Sequence, residues 1–349
     1  MATERKFAMF EKQRINNRVT ASRIKYFLNF IGLFYRQPSL DPSSPDRIRR
    51  LEAFQKLGMG MFIHFNSATF QYADQKMDWP YGVIDNRDPR YRFFSPSEFR
   101  ISQIDFKQWA AVAKSAGCKF AVLTAKHHEG FALWPTAASP HSIANSPYRG
   151  DIVREYVDTM RGAGIIPGLY FSIMDFHHNI TEKGVSSQQK AFIKEQLREL
   201  LTGYGPVPYL VIDGWGSTWG GPRFSQLDYG EIADFVHSIQ PDTLILNHSC
   251  ECSYEHTDVI MFENTAGQCI PKGFQGYGVA GNILTSAWFW KYSDPNAKLR
   301  SAEWAVREKL IPMNRQGVVF MLNVSPNQQG RIDSNVAEVF RQIGELRGV

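Results

Sequence analysis

Cysteine is scarce in this chain: Cys118, Cys250, Cys252 and Cys269 are the only four in 349 residues. That is too few for a disulfide framework. Cys250 and Cys252, beside His248, lack the spacing of a zinc ribbon, and no second C-x-x-C pair accompanies them. Long apolar runs are missing as well. The first apolar stretch, Tyr26 to Tyr35, is interrupted by Asn29, is too short to span a bilayer and is followed by no small-residue cleavage site. The expectation is a soluble chain without a transmembrane segment or export signal, which favours the cytoplasm. No G-x-G-x-x-G follows the first strand-like segment, which argues against an open dinucleotide-binding sheet. A nucleic-acid footprint is also absent from the main body. The net charge is +5, but residues 1–50 alone carry +7, leaving −2 for the rest.

What is present is the composition of a folded enzyme: 43% hydrophobic, 21% charged and rich in Phe, Tyr and Trp. Residues 1–50 read as a basic, helical N-terminal arm ending in a Pro/Ser/Asp-rich linker, Gln37–Asp46. From residue 51 to 349, short apolar runs alternate with helical patterns. The runs are Gly58–Phe65, Phe120–Thr124, Pro167–Ile173, Pro208–Ile212, Thr243–Leu246, Val259–Phe262 and Val318–Val324. They lack polar alternation, as strands covered on both faces do. Strand followed by helix, repeated over about 290 residues, predicts an α/β fold of the TIM-barrel, (β/α)8-like type, with an open doubly wound sheet as its competitor.

Polar residues, nearly all titratable, stand at the C-terminal end of nearly every run: His64; Lys126, His127, His128 and Glu129; Asp175, His177 and His178; Asp213; Asn247 and His248; Glu263. A barrel carries its chemistry at that face. His127 and His128 are consecutive, so on a regular strand they would point to opposite sides, leaving one of them in the core.

Several segments carry a resemblance in a common order. LTAKHHEGFALW (Leu123–Trp134) resembles the TAKHHDGF-x-LW signature of family 29 glycoside hydrolases, the α-L-fucosidases. GMGMFIHF (Gly58–Phe65), GLYFSIMDFHHN (Gly168–Asn179), the PYLVIDGWG strand ending at Gly216 and LNVSPNQQGRI (Leu322–Ile332) are similar to further segments of that family. The resemblance spans about residues 55–347 and implies a retaining exo-fucosidase, with fucosylated glycans or glycosides as substrate and neither cofactor nor metal.

The resemblance makes Asp213 the nucleophile. It makes Glu263, in the Asp-x-x-x-x-Glu segment Asp258–Glu263, the acid/base, with Glu251 and Glu255 as rivals. Phe262, Trp288, Phe289 and Trp290 are the apolar groups expected to raise the pKa of that acid. His64, His127 and His128 match histidines that hold fucose hydroxyls. Asp78 and Trp79 stand where the family has Glu-Trp, and Tyr170 and either Trp288 or Trp290 match aromatics beside the sugar.

Three departures stand out. Val279-Ala280 replaces a family Trp-Glu, Asn247-His248-Ser249 lacks an arginine that often follows that strand, and the family's C-terminal β-sandwich does not follow before Val349. They leave three other readings open: the same chemistry on a related sugar, a barrel that binds sugar without cleaving it, and a metal-dependent hydrolase using His64, His127, His128, His177, His178 and Asp213.

Overall fold

The computed structural model describes residues 44–74, 93–216, 220–248, 257–264 and 268–349. Eight parallel strands close into a barrel in chain order, with β1 pairing with both β2 and β8. They are β1 Met59–Ile63, β2 Phe120–Lys126, β3 Ile166–Ser172, β4 Tyr209–Asp213, β5 Leu244–His248, β6 Val259–Glu263, β7 Gly278–Asn282 and β8 Val318–Val324. The helices include α1 Pro45–Gln55, α2 Phe106–Ser115, α3 Ile152–Gly162, α4 Ser187–Gly203, α5 Tyr229–Ile239 and, after β7, a π-helical stretch Trp304–Leu310 running into α6 Ile311–Arg315. After β8 comes α7, Ser334–Arg347. Helix starts are marked by local chemistry. Asp105, Asp151 and Asp228 accept from the third backbone amide of α2, α3 and α5, and Ser186 with Gln189 forms a capping box on α4.

Two concentric apolar layers follow from the two-residue strand period. Met61, Ile63, Leu123, Phe171, Ile212, Ile245, Phe262 and Phe320 pack outward in the layer that includes the helices' buried faces. Phe62, Phe120, Val122, Tyr209, Val211, Leu244, Leu246, Val259, Met261, Val319 and Met321 fill the lumen. Gly60 makes room there, since a Cβ on it would sit 2.2 Å from the Phe120 ring.

The bottom of the lumen is closed by α1. Leu51 and Phe54 are fully buried, and the Phe54 ring lies 5.5 Å from that of Phe120 and 4.9 Å from that of Tyr209. Arg47 on the same helix donates to buried Asp258 at 2.7 Å. This helix crosses the 50/51 division expected from composition: its Arg47 and Arg50 reach the barrel's floor, while Arg49 stays exposed. The remainder of the arm, residues 1–43, lies outside the described residues.

Strand β7 is the element the sequence pattern omits. Its GVAGN sequence has too few apolar side chains to read as a strand. The glycines suit a crowded lumen, because a Cβ on Gly281 would lie 3.0 Å from the end of Met261 and 3.2 Å from the Trp288 ring, tight enough that these side chains would have to give way. Val279 and Ala280, which replace the family's Trp-Glu, are therefore a lumen residue and an outer-layer residue of this strand.

Candidate active site

Extending the lumen-facing alternation by one two-residue period at each upper strand end yields the site. Tyr209–Val211 continues to Asp213, Leu244–Leu246 to His248, Val259–Met261 to Glu263, Val319–Met321 to Asn323, and Phe62 to His64. The period that buries the core thus lifts five polar side chains into one mouth. Asp213 and His248 are direct register partners across β4 and β5, and Ser172 partners Asp213 from β3.

Asp213 is held at both oxygens. The Tyr170 hydroxyl donates to Oδ2 at 2.6 Å and the Gly214 amide donates to Oδ1. Gly214 has φ +100°, and a Cβ there would lie 2.6 Å from the Met174 nitrogen, so the turn beneath the carboxylate requires glycine. His248 Nδ1 lies 3.2 Å from Asp213 Oδ2, off the line of an aligned hydrogen bond, and its Nε2 lies 3.5 Å from Glu263 Oε2. One imidazole ring therefore stands between the two carboxylates. The Trp288 indole donates to Glu263 Oε1 at 2.8 Å. Although burial opposes ionisation, the charge of His248 beside it and the hydrogen bond from Tyr170 hold the Asp213 carboxyl well below its usual range. Burial acts against the charge of His248 too, but Asp213 and Glu263 outweigh it and raise the imidazole to about 10.

The other histidines behave in the opposite way. Burial lowers His64 to about 3, His128 to about 4 and His127 well below its ordinary value, so all three are neutral at physiological pH. Their tautomers follow from the network. Asn323 uses its amide NH2 on the Trp288 carbonyl and on Ser325, so its oxygen accepts from His64 Nδ1 at 2.7 Å. Ser172 donates to the Met174 carbonyl, so its oxygen accepts from His128 Nδ1 at 2.7 Å. Both rings thus present Nε2 as a lone pair.

His127 and His128 sit in the same site, contrary to the alternation expected of consecutive residues. Strand β2 ends at Lys126 with a register shift between Thr124 and Lys126, and Gly130 turns at φ +86°. Released from the pleat, the two rings lie 4.1 Å apart, and His127 stacks on Tyr170 at 5.7 Å.

The aromatics divide. Trp288 packs on His64 at 4.9 Å and Phe289 packs on both His64 and His127. Trp290 instead donates to Asp333 and contacts Tyr292, which makes Trp288 the tryptophan of the carboxylate pair. Phe262 faces outward against Phe274, and Trp288 reaches Glu263 through its polar N–H. The expectation of an apolar cage built from Phe262 and Trp290 is therefore corrected: neither reaches Glu263, because one has the wrong strand parity and the other is drawn to Asp333. Asp78, Trp79, Glu251, Glu255, Cys250 and Cys252 lie outside the described residues.

His177 and His178 do not join Asp213. With His141 they form a second group around Asp175: His141 and His177 stack at 3.8 Å, and His178 Nδ1 lies 2.9 Å from Asp175 Oδ1. The side chains a metal-dependent reading would combine are thus split between two places. Among the described residues, no three His, Cys, Asp or Glu side chains converge as metal ligands.

Behind the site, Lys126 and Asp175 form a fully buried ion pair at 3.1 Å, and Lys126 also donates to Gln196 at 3.0 Å. Lys126→Met should cost about 3–5 kcal/mol in chemical denaturation, since it leaves a buried carboxylate without its cation. Adding Asp175→Leu should recover much of that loss. Equal destabilisation in the single and double variants would contradict the pairing.

Sequence reasoning placed His248 at a strand end but gave it no role. The signal was its parity, two residues beyond Leu246.

Fold and site together define a barrel glycosidase, with two carboxylates at the C-terminal mouth of a closed (β/α)8 barrel among neutral histidines and aromatics. The chain matches the alpha-L-fucosidase family model over residues 39–347 and belongs to that family of glycoside hydrolases. It is 33% identical to the plasma alpha-L-fucosidase of Rattus norvegicus over 88% of this chain and 71% of the relative. It is 26% identical to alpha-L-fucosidase 1 of Arabidopsis thaliana over 95% of this chain and 67% of the relative. Against two other curated relatives it spans little more than half their length, 56% for one from Oryza sativa and 55% for one from Dictyostelium discoideum. Among solved structures it resembles alpha-L-fucosidase isoenzyme 1 from Paenibacillus thiaminolyticus, with a TM-score of 0.69 and 25% identity over 86% of this chain and 76% of the other. A family 29 fucosidase from Bacteroides thetaiotaomicron shares the fold at a TM-score of 0.71 and 20% identity, over 90% of this chain and 75% of the other. No helix among the described residues is long and apolar enough to cross a membrane.

Proposed function

We propose that the protein releases terminal α-linked L-fucose from glycans or glycosides with retention of configuration. Asp213 attacks the anomeric carbon while Glu263 gives its proton to the departing oxygen. Water then gives a proton to Glu263 and displaces Asp213. The observation that carries this reading is the shared contact of Asp213 and Glu263 with a single imidazole ring, which puts two carboxyl groups on one small pocket.

The depressed Asp213 supplies an ionised nucleophile at neutral pH. Tyr170 and Gly214 aim it, and glycosylation must displace one of these donors. Neutral His64 and His128 offer Nε2 lone pairs to sugar hydroxyls, and neither changes charge between about pH 5 and 8. The Trp288 face suits the apolar side of a deoxy sugar, and Asp78 and Trp79 would add contacts from the family's pattern.

A panel of aryl glycosides tests the reading. Turnover should be fastest on the α-L-fucoside and weaker on the α-L-galactoside, which shares its hydroxyl stereochemistry and adds a 6-hydroxyl, and NMR should show the product first appearing in the α configuration. Preference for another sugar would move the assignment to a related glycosidase. Binding of fucose without turnover of any substrate would leave a sugar-binding barrel.

A further inference from the structure

Among the described residues at the mouth of the barrel, His248 is the histidine pushed toward its charged form, where the proposed chemistry needs no cation to transfer a proton. Among the described residues, the titratable groups around His248 are Asp213 from β4, Glu263 from β6, Tyr170 from β3, and the neutral histidines 64, 127 and 128 that follow β1 and β2. His248 Nδ1 lies 3.2 Å from Asp213 and Nε2 3.5 Å from Glu263, on opposite edges of the ring. We propose that His248 is a shared counter-ion and positioning residue, whose imidazolium stays charged while its partnership passes from Asp213 to Glu263 during glycosylation.

This rests on the fucosidase reading, and the charge balance of that reaction explains it. Before attack, Asp213 is an anion and Glu263 is a neutral acid. When the Asp213–carbon bond forms, the bond from carbon to the departing oxygen breaks and the Glu263 proton moves onto that oxygen. Asp213 becomes a neutral ester and Glu263 an anion. The net charge of the pocket is unchanged, but the negative charge has crossed from one edge of the imidazole ring to the other. A cation already touching both edges stabilises both states without moving, so little reorganisation is needed. The 3.5 Å separation on the Glu263 side is longer than an N–H···O bond. His248 is held near 10, so the charge persists across neutral pH.

Three variants and a spectroscopic measurement test the proposal. His248→Gln should lower kcat/KM by about 10²–10³-fold, as loss of a preorganised electrostatic contact does. It should also move the acid limb of kcat/KM upward by at least about one pH unit, because Asp213 loses the cation that keeps it ionised. His248→Arg and His248→Lys, which keep a charge, should return the limb toward the wild-type position. A Gln variant with an unmoved limb, or cationic variants no better than Gln, would overturn the proposal in favour of a packing role.

Ring-nitrogen NMR of the unmutated protein gives an answer even where variants fold poorly. At about pH 8 His248 should be doubly protonated, well above an ordinary histidine. It should remain so after Asp213 is esterified by a fucosyl fluoride carrying fluorine beside the anomeric carbon. In esterified Glu263→Gln protein, which has lost both anions, the ring should become neutral. A neutral ring in the free protein, or one that loses its proton on esterification of the wild type, would disprove the shared role. No esterification and no turnover of any fucoside would instead refute the fucosidase reading, while the NMR of the free protein would still report on the bridge.

Discussion

Asp213→Ala is expected to lower kcat on an aryl α-L-fucoside by on the order of 10⁴-fold or more, the scale of removing a nucleophile that acts covalently. The carboxylate sits at the top of β4 with the Tyr170 hydroxyl, the Gly214 amide and His248 around it, and no neighbouring described side chain occupies an equivalent place. Its removal opens a small space beside the anomeric carbon. Azide added to the variant should restore part of the turnover and yield a fucosyl azide of inverted configuration, because the small anion attacks from the side Asp213 has left. Asp213→Asn keeps the volume but cannot act as an anion, so it should be equally inactive, with less room for rescue. Folding should persist in both, because Glu263 remains beside His248 and the imidazolium is not left without an anion. Circular dichroism and thermal unfolding check this. Wild-type turnover in Asp213→Ala would end the assignment of the nucleophile.

Glu263→Ala should separate substrates by leaving group. For an alkyl or sugar aglycone, whose oxygen needs a proton to depart, the loss should reach about 10²–10⁴-fold, the scale of general acid catalysis. For a dinitrophenyl fucoside the first step needs no proton and the loss should be small, with the second step becoming limiting and a burst of phenol appearing. The indole of Trp288, bonded to Oε1 at 2.8 Å, leaves Oε2 as the oxygen that carries the proton. Trp288→Phe should therefore weaken the same substrates that Glu263→Ala weakens, but less. Equal losses on good and poor leaving groups would pass the acid role to Glu251 or Glu255.

How much of this was legible beforehand depends on the residue. Asp213, Glu263 and His64 sit one period above an apolar run, and parity alone places them at the mouth. His128 and Tyr170 join them as the motif resemblance implied. Parity misled for His127 and His128 together, because the strand ends one residue too soon for the pleat to govern them. It was overlooked for Phe262, which shares a strand with Glu263 but faces the opposite layer. Strand β7 escaped notice because its lumen positions are small, and their smallness answers to Met261 and Trp288, which approach from elsewhere in the chain. Helix α1 was divided by composition, since a basic stretch looks the same whether it is solvated or anchors Asp258.

The order of segments, the closed parallel sheet they imply, the family and the two carboxylates were all readable along the chain, because each depends on local periodicity or on a contiguous motif. The partner of each carboxylate was decided only by closure of the ring of strands. That closure brings His248 between residues 213 and 263, gives Trp288 and not Trp290 to Glu263, and sends His177 and His178 to a separate group with Asp175. Such pairings depend on register and shear between strands distant in sequence, and no pattern of neighbouring residues encodes those distances.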